Sequence, residues 1–412
     1  MPRILGVMMT RDQWPLVGVA VLHALEHVDH LVVVDHKSTD GTSGGLAELA
    51  VSRPDRITLL RSEVEGFVQA STVAMARAQC PAEHFDWIYA VDADEFLLPP
   101  PGQSLRSVLA AVPQEFEAVR YELHNWLAPH DVDAERAGDL VRIRHRAVPS
   151  LAVPYAGELL HHELFNGNLT LFDVDFDSKV LVRTSVSDPL AAGAHSVDAV
   201  QQPLTYVARP DELLVAHVPM WTRDRLEARA EHGAALRVAG YPVGHGWQSQ
   251  AVADVIAAGG GDEFWARHSI GPDDSVPEAV EAVPDERLSD VLLAYVAEVD
   301  AVDVAQLASP RVEPSLTGFD DAVGVVEAIR QTDAASMEEL RVAIDEIHTD
   351  RVRIAQEYRV LSDAHQDLVE LFEATELNRA FLEAQLEAVR RTWSWRIVAP
   401  LRTLRTRFGR RT

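Results

Sequence analysis

Over the first 240 residues apolar positions follow two rhythms, and their alternation predicts a layered α/β domain. Short runs with few polar interruptions, at Ile4–Met9, His30–Val34, Arg56–Leu60 and Trp87–Val91, read as strands. Pro15–Glu26 and Phe67–Ala78 instead repeat apolar residues at helical spacing, and Pro15 suits a first helical turn. Strands that are apolar almost throughout, rather than at every second residue, predict a mostly parallel sheet covered by helices on both faces. Leu213–His217 reads as a later strand, and Trp221–Ala239 as a helix closed by Gly240 and Pro242. Ser150–Ser196 is richer in polar and aromatic residues, and its elements do not declare themselves. The pattern places an α/β domain at 1–240 and a helical extension with acidic, proline-containing linkers at 241–336.

The rhythm changes again near Met337. Leu340, Ile347, Ile354, Leu361, Leu368, Leu382 and Val389 fall on a seven-residue repeat, broken only by Thr375, and predict a coiled coil over 337–392. The facing positions include Arg351, His365 and Arg379, so a long helix packed on its own domain is the rival reading. A coiled coil implies self-association. Residues 393–412 form a basic amphipathic tail, with Trp393, Ile397, Leu401, Leu404 and Phe408 interleaved with arginines. Such a tail suits an anionic membrane surface, or else the acidic body of the same chain.

Charge and composition narrow the partners. The chain has 412 residues and a formal charge of −27, which excludes general nucleic-acid binding. The charge is uneven, because eight arginines and no acidic residue lie between Arg390 and Thr412. A single cysteine, Cys80, leaves no intramolecular disulfide framework and fits a reducing compartment. No stretch approaches the ~20 apolar residues that span a bilayer, and the first residues lack a signal-peptide pattern. The expected location is cytoplasmic, peripheral at the inner face of the plasma membrane.

Chemistry concentrates in Trp87–Leu98, WIYAVDADEFLL, where Asp92, Asp94 and Glu95 interrupt an apolar run. Buried carboxylates are costly unless paired or bound to a cation. Two Asp at i, i+2 on a strand project to one side, a geometry that suits Mg²⁺ or Mn²⁺ together with substrate phosphates. The turn after His30–Val34 reads DHKSTDGT and lies where a ligand crevice opens in an α/β sheet. There Asp35 and Asp40 are candidate acceptors for a base and ribose, with Lys37 and Ser38 nearby. An ordinary capped turn accounts for the same residues.

HLVVVDHKSTDGT followed by WIYAVDADEFL resembles the family 2 glycosyltransferases of the GT-A fold, in particular the bacterial subgroup with a DADEF-type motif. The match extends to Lys179-Val-Leu-Val-Arg183, Gly193-Ala-His195 and Leu214-Val-Ala-His217, covering roughly residues 3 to 240. The resemblance implies a metal-dependent transferase that moves a sugar from a nucleotide-diphosphate donor to a glycan, lipid-linked or cell-surface acceptor, with inversion. Carried over by position, Thr10, Arg11, Asp35 and Asp40 would meet the nucleotide. Asp92 and Asp94 would face ribose and metal, with His217 as a third ligand. Lys179 and Arg183 would neutralise phosphate, and His195 could serve either role. An inverting transfer also needs a general base. The chain lacks the late Glu-Asp pair that supplies it in many family members, which leaves Asp94, Glu95 and Glu163 as candidates. Two other readings stay open: a sugar nucleotidyltransferase, and a non-catalytic scaffold whose coiled coil matters most. Against the first, MMTRDQWP does not resemble a glycine-rich phosphate loop.

Overall fold

The computed structural model describes residues 1–328, apart from 65–68, 81, 151–156, 175–177, 188–189, 198, 200, 239–245 and 305–317. The chain divides into two compact units, Met1–Ile329 and Arg330–Thr412. The expected coiled coil at 337–392 and basic tail at 393–412 lie outside the described residues.

The first half of the described unit runs β1 (Ile4–Thr10), α1 (Leu16–His27), β2 (His30–His36), α2 (Thr42–Ser52), β3 (Ile57–Ser62), α3 (Gln69–Arg77) and β4 (Trp87–Asp92). It continues through β5 (Glu95–Leu98), α4 (Leu105–Ala111), β6 (Ala118–Leu127), β7 (His145–Ala147), α5 (Gly157–Phe165) and β8 (Lys179–Arg183). Next come β9 (Thr205–Val207), β10 (Leu214–His217), α6 (Arg223–Val238), α7 (Trp247–Ala257) and α8 (Gly261–His268). β11 (Ala282–Pro284), α9 (Arg287–Leu293) and α10 (Val296–Asp300) follow, with one more helix over 319–328.

Strands β4, β1, β2 and β3 are parallel neighbours in that order. β8 joins β4 antiparallel, and β6 joins β8 antiparallel. This is the predicted mostly parallel sheet flanked by helices. The chain steps outward from β1 to β2 and β3, then returns to place β4 on the other side of β1. That reversal makes the C-terminal ends of β1 and β4 the switch point at which open α/β sheets usually form a ligand crevice.

Near-continuous apolar strands are buried on both faces because alternate residues enter two separate cores. Ile4, Met8, Leu31, Val33, Trp87, Tyr89 and Val91 pack in one core with α1, α2, α4, α9 and α10. Leu5, Val7, Val32, Val34, Ile88 and Ala90 pack in the other, with Ala76 of α3 and with Phe319 and Val323. Helix α1 is buried all round except at Glu26, as expected of a helix enclosed between sheet and outer helices.

Apolar packing among the described residues runs across the boundary expected at residue 240. Leu164, Leu226, Ala230, Val252, Phe264 and Trp265, from α5 to α8, share one apolar cluster, and β11 extends the sheet on β7. Leu288, Leu292, Val296 and Val299 of α9 and α10 complete the core over α1. The strand expected at Trp87–Val91 is present, but Asp92 and Asp94 do not share it. β4 ends at Asp92, the chain turns through Ala93 and Asp94, and β5 runs on to pair with β10.

Candidate active site

The turn at Ala93–Asp94 separates two carboxylates that a straight strand would have aimed together. Asp92, at the tip of β4, accepts from Lys179 Nζ at 2.8 Å and from Gln69 Nε2 at 2.9 Å. Lys179 is 3% exposed; it also pairs with Glu95 at 2.6 Å and donates to the Gly193 carbonyl at 2.6 Å. Gln69 returns to the same loop by accepting from the Gly193 amide. Asp92 and Lys179 thus tie β4, β5, β8, α3 and the Gly193 loop into one buried polar knot.

Asp94 takes the other side. Strand β5 lies antiparallel to β10 with Glu95 opposite His217, and β10 lies parallel to β6 with His217 opposite Asn125. His217 Nε2 therefore sits 3.6 Å from an Asp94 oxygen, while its Nδ1 is 2.7 Å from Asn125 Oδ1. Asp94, Glu95 and His217 each bring a ligand atom within 4.8 Å of the others. Two carboxylates and an imidazole suit a divalent cation that accepts oxygen and nitrogen donors, such as Mn²⁺. Asp92, expected among the metal ligands, is not in this group, because the turn sends it to Lys179 instead.

The electrostatics distinguish the carboxylates. Burial alone would raise the Asp94 pKa, but His217, Arg229 and Lys179 pull it down to about 2. Asp94 is consequently an ionised acceptor across the neutral range, a good ligand and a poor proton acceptor. Burial pushes Glu95 well above the ordinary carboxylate range; Lys179 opposes this and the Asp92 and Asp94 charges add to it. Lys179 itself is raised: burial opposes its charge, but Asp92 and Glu95 outweigh it. Glu95 is enclosed at 2% exposure against Lys179. Of the two candidate bases in DADEF, Asp94 lies beside His217 and Glu95 pairs with Lys179. Glu163 lies on α5, where Asn168 and His162 hydrogen-bond its carboxylate and hold its pKa down, so it too is a weak base.

The β1–α1 and β2–α2 loops are laced together at the crevice. Asp12 Oδ1 accepts from the amides of Thr39 (2.6 Å) and Asp40 (3.2 Å), and the Asp12 amide donates to Ser38 Oγ (3.0 Å). Thr42 Oγ1 accepts from the amides of Gln13 and Trp14. Asp35 is buried and accepts from the Ser38 amide and the Ser43 hydroxyl. Asp40 accepts from the Thr42 and Trp14 amides. Both aspartates expected at the nucleotide accept hydrogen bonds that build their own turn. Thr10 ends β1 beside Asp35, and its buried hydroxyl has no hydrogen-bond partner among the described residues. Arg11 is exposed and pairs with Asp12, and Lys37 sits in the same turn with a left-handed φ of 58°.

Of the other expected donors, His195 lies beside the knot, its Nδ1 3.3 Å from the Ser178 carbonyl. Arg183 does not. Its register opposite Trp87 places it at the far end of β4, about 13 Å from Lys179 at ~3.3 Å per residue. There it covers the Trp87 ring and donates to the Phe116 carbonyl. Its place as a cation facing the crevice is taken by two arginines of α6 that the sequence reading passed over. Arg225 donates to the Asp12 and Arg11 carbonyls, and Arg229 donates to the Pro219 carbonyl. Burial lowers the pKa of both, and the charge of Asp94 opposes the shift. Their spacing of four residues put them on one helical face, a signal available in the sequence. Asn125 gave no such signal, because only strand pairing brings it to His217.

No protein-family model and no curated protein matches the sequence. Among solved structures, the chain is similar to S. aureus TarS 1-349, with a TM-score of 0.32 and 13% identity over 62% of this chain and 70% of that one. The longer S. aureus TarS structure also scores 0.32 at 13% identity, over 65% of this chain and only 43% of that one. A protein described as a glucose-1-phosphate thymidylyltransferase from Bacillus anthracis scores 0.21 at 11% identity, over 30% of this chain and 55% of that one. These scores are low, and the architecture above stands on this chain's own strand order and register.

Proposed function

We propose that the chain is a divalent-cation-dependent glycosyltransferase of GT-A type that draws a sugar from a nucleoside diphosphate donor. The observation that carries the reading is the grouping of Asp94, Glu95 and His217 beside the crevice at the ends of β1 and β4. The donor set fits a cation such as Mn²⁺ or Mg²⁺, held chiefly by Asp94 and His217. When bound, that cation supplies charge stabilisation to a departing diphosphate. Arg225 and Arg229 add positive charge on the α6 side. The laced loops carrying Thr10, Asp35 and Asp40 supply a preformed wall for the nucleoside, with the Thr10 hydroxyl as an available donor or acceptor. The acceptor would be a glycan or a lipid-linked or cell-surface saccharide. No helix among the described residues is long and apolar enough to cross a membrane, so a lipid-linked acceptor would be met at a surface.

The test is release of nucleoside diphosphate from a panel of UDP- and GDP-sugars with Mn²⁺. Turnover with at least one donor, abolished by chelation and by Asp94→Asn, is the expected result. Absence of both turnover and nucleotide binding by calorimetry would instead favour the scaffold reading. Release of inorganic pyrophosphate from a nucleoside triphosphate and a sugar phosphate would favour the nucleotidyltransferase.

A further inference from the structure

We propose that the face of α6 carrying Arg225, Arg229 and His232 is a phosphate-binding subsite that works without the cation. The inference deepens the donor-site reading above and rests on it for the source of the ligand. The phosphate belongs either to the donor's diphosphate or to a phosphorylated acceptor.

Four arginines lie on α6, and their partners divide them. Arg223 pairs with the carboxylates of Glu227 at 3.2 Å and Asp262 at 3.1 Å, and Arg237 pairs with Asp254 at 2.7 Å. Arg225 and Arg229 are held by backbone carbonyls instead: Arg225 by those of Arg11 and Asp12, Arg229 by that of Pro219 at 3.0 Å. A carbonyl orients a guanidinium without cancelling its charge. These bonds use one terminal nitrogen of each fork, and both side chains are half-buried. A guanidinium carries five N–H donors, so each fork keeps donors for an anion.

The anchors tie the pair to both parts of the site. Pro219 lies two residues beyond His217, and the Val218 amide between them donates to the Asp94 carbonyl at 2.9 Å, so Arg229 stands beside the cation group. The Asp12 carbonyl belongs to the loop laced to Ser38, Thr39 and Asp40, so Arg225 stands beside the turn proposed for the nucleoside. Side chains four residues apart on a helix are ~5–6 Å apart at Cβ, close enough for one phosphate group to meet both. Asp94 acts on both arginines at longer range, and Asp12 and Asp40 act on Arg225. Three residues beyond Arg229 on the same face, the charges that reach His232 are those of Arg229 and Arg11. Positive potential therefore continues along α6 beyond the acidic group.

The helix is fixed before any ligand arrives. On the adjacent stripe, Leu226 and Ala230 pack with Val252 of α7 and Phe264 of α8. Gly233 lies so close to α7 that an added Cβ would stand 2.0 Å from the Ser249 carbonyl. Arginines presented from so firmly packed an element lose little freedom on binding.

Calorimetric titration of the full chain with inorganic pyrophosphate, in EDTA and without nucleotide, tests the proposal. The wild type should bind, and Arg225→Gln and Arg229→Gln should each bind roughly 10–100-fold more weakly, the loss expected for hydrogen bonds between charged groups. Arg229→Lys keeps the charge but not the fork and should recover part of the loss. Arg223→Gln removes a charge already matched by carboxylates and should bind like the wild type. No pyrophosphate binding by the wild type would overturn the proposal. So would wild-type affinity in Arg229→Gln, which decides the matter even if Arg225→Gln proves unstable, or an equal loss in Arg223→Gln. Titration of the same variants with UDP and GDP in Mn²⁺ separates the two sources. A loss that carries over to the nucleotide assigns the face to the donor's diphosphate, and unchanged nucleotide affinity assigns it to an acceptor phosphate. If the wild type binds neither nucleotide but still binds pyrophosphate through these arginines, the donor-site reading fails and the phosphate face stands.

Discussion

Lys179 and Glu95 form an ion pair at 2.6 Å with both side chains almost wholly enclosed, and Asp92 accepts from the same ammonium at 2.8 Å. Groups so placed lose most of their hydration; burial pushes Glu95 toward its neutral form, and the Lys179 ammonium opposes that shift. Removing one partner strands the other in the core, which typically costs about 3–5 kcal/mol. Lys179→Met should therefore be strongly destabilised in urea titrations. Lys179→Met combined with Glu95→Gln should recover a substantial part of the loss. Equal instability of the single and double variants would show that the ion pair is not the origin.

Asp92 and Asp94 should separate by readout. Asp94→Asn is expected to abolish detectable Mn²⁺ binding while the folded chain survives, since Asp94 belongs to the group with Glu95 and His217. Asp92→Asn should retain Mn²⁺ binding within a few-fold but melt earlier, because it weakens the link from Lys179 and Gln69. Calorimetric titration and thermal melts of the two variants, run side by side, check the assignment.

Acid sensitivity should come from three buried histidines. Burial lowers His23 to about 4, His27 to about 3 and His268 to about 4; at His27 the nearby His23 and Arg106 add to the shift. Their folded-state pKa values are depressed, so the unfolded chain takes up protons first as pH falls. The stability they contribute is present above pH ~6.5 and is lost as pH drops toward 4. Together the three give a slope of up to about 4 kcal/mol per pH unit within that window. Neither ring nitrogen of His27 has a hydrogen-bond partner among the described residues, so His27→Leu should flatten the slope by about a third without a new polar loss. Urea titrations from pH 7.5 to 4.5 measure it.

Gly45 should not tolerate alanine, although Gly→Ala within a helix ordinarily stabilises by about 1 kcal/mol. A Cβ there would lie 2.1 Å from the Trp14 ring. Trp14 is held from behind by its amide, which donates to Thr42 and Asp40. Gly45→Ala must displace the ring and loosen the lacing of the two crevice loops, at a cost of about 1–3 kcal/mol. Nucleotide binding should weaken along with stability. A stabilised variant would show that Trp14 can move freely.

The strands that form the parallel half of the sheet were legible because their signal is local. An apolar run bounded by turn residues states its own length, and β1, β2, β3 and β4 lie within two residues of where the pattern put them. The DADEF carboxylates were legible as chemistry for the same reason, since charge beside an apolar run is costly wherever it folds. Strand β6 was not legible. Its apolar and polar residues mix because different stretches pair with β8, β9, β7 and β10.

By itself the sequence determined that this is an α/β chain with a carboxylate-rich strand end and a polar turn facing one crevice. Periodicity and the cost of burying charge suffice for that. Only the tertiary structure decided which partner each carboxylate meets. The turn at Ala93–Asp94 sends Asp92 to Lys179 and Asp94 to His217, and strand pairing sets Asn125 behind that ring. These partners lie about 85 to 125 residues apart from the carboxylates they meet or, for Asn125 and His217, 92 residues from each other. Contacts at such separation are fixed by register and packing, which no local pattern of residues encodes.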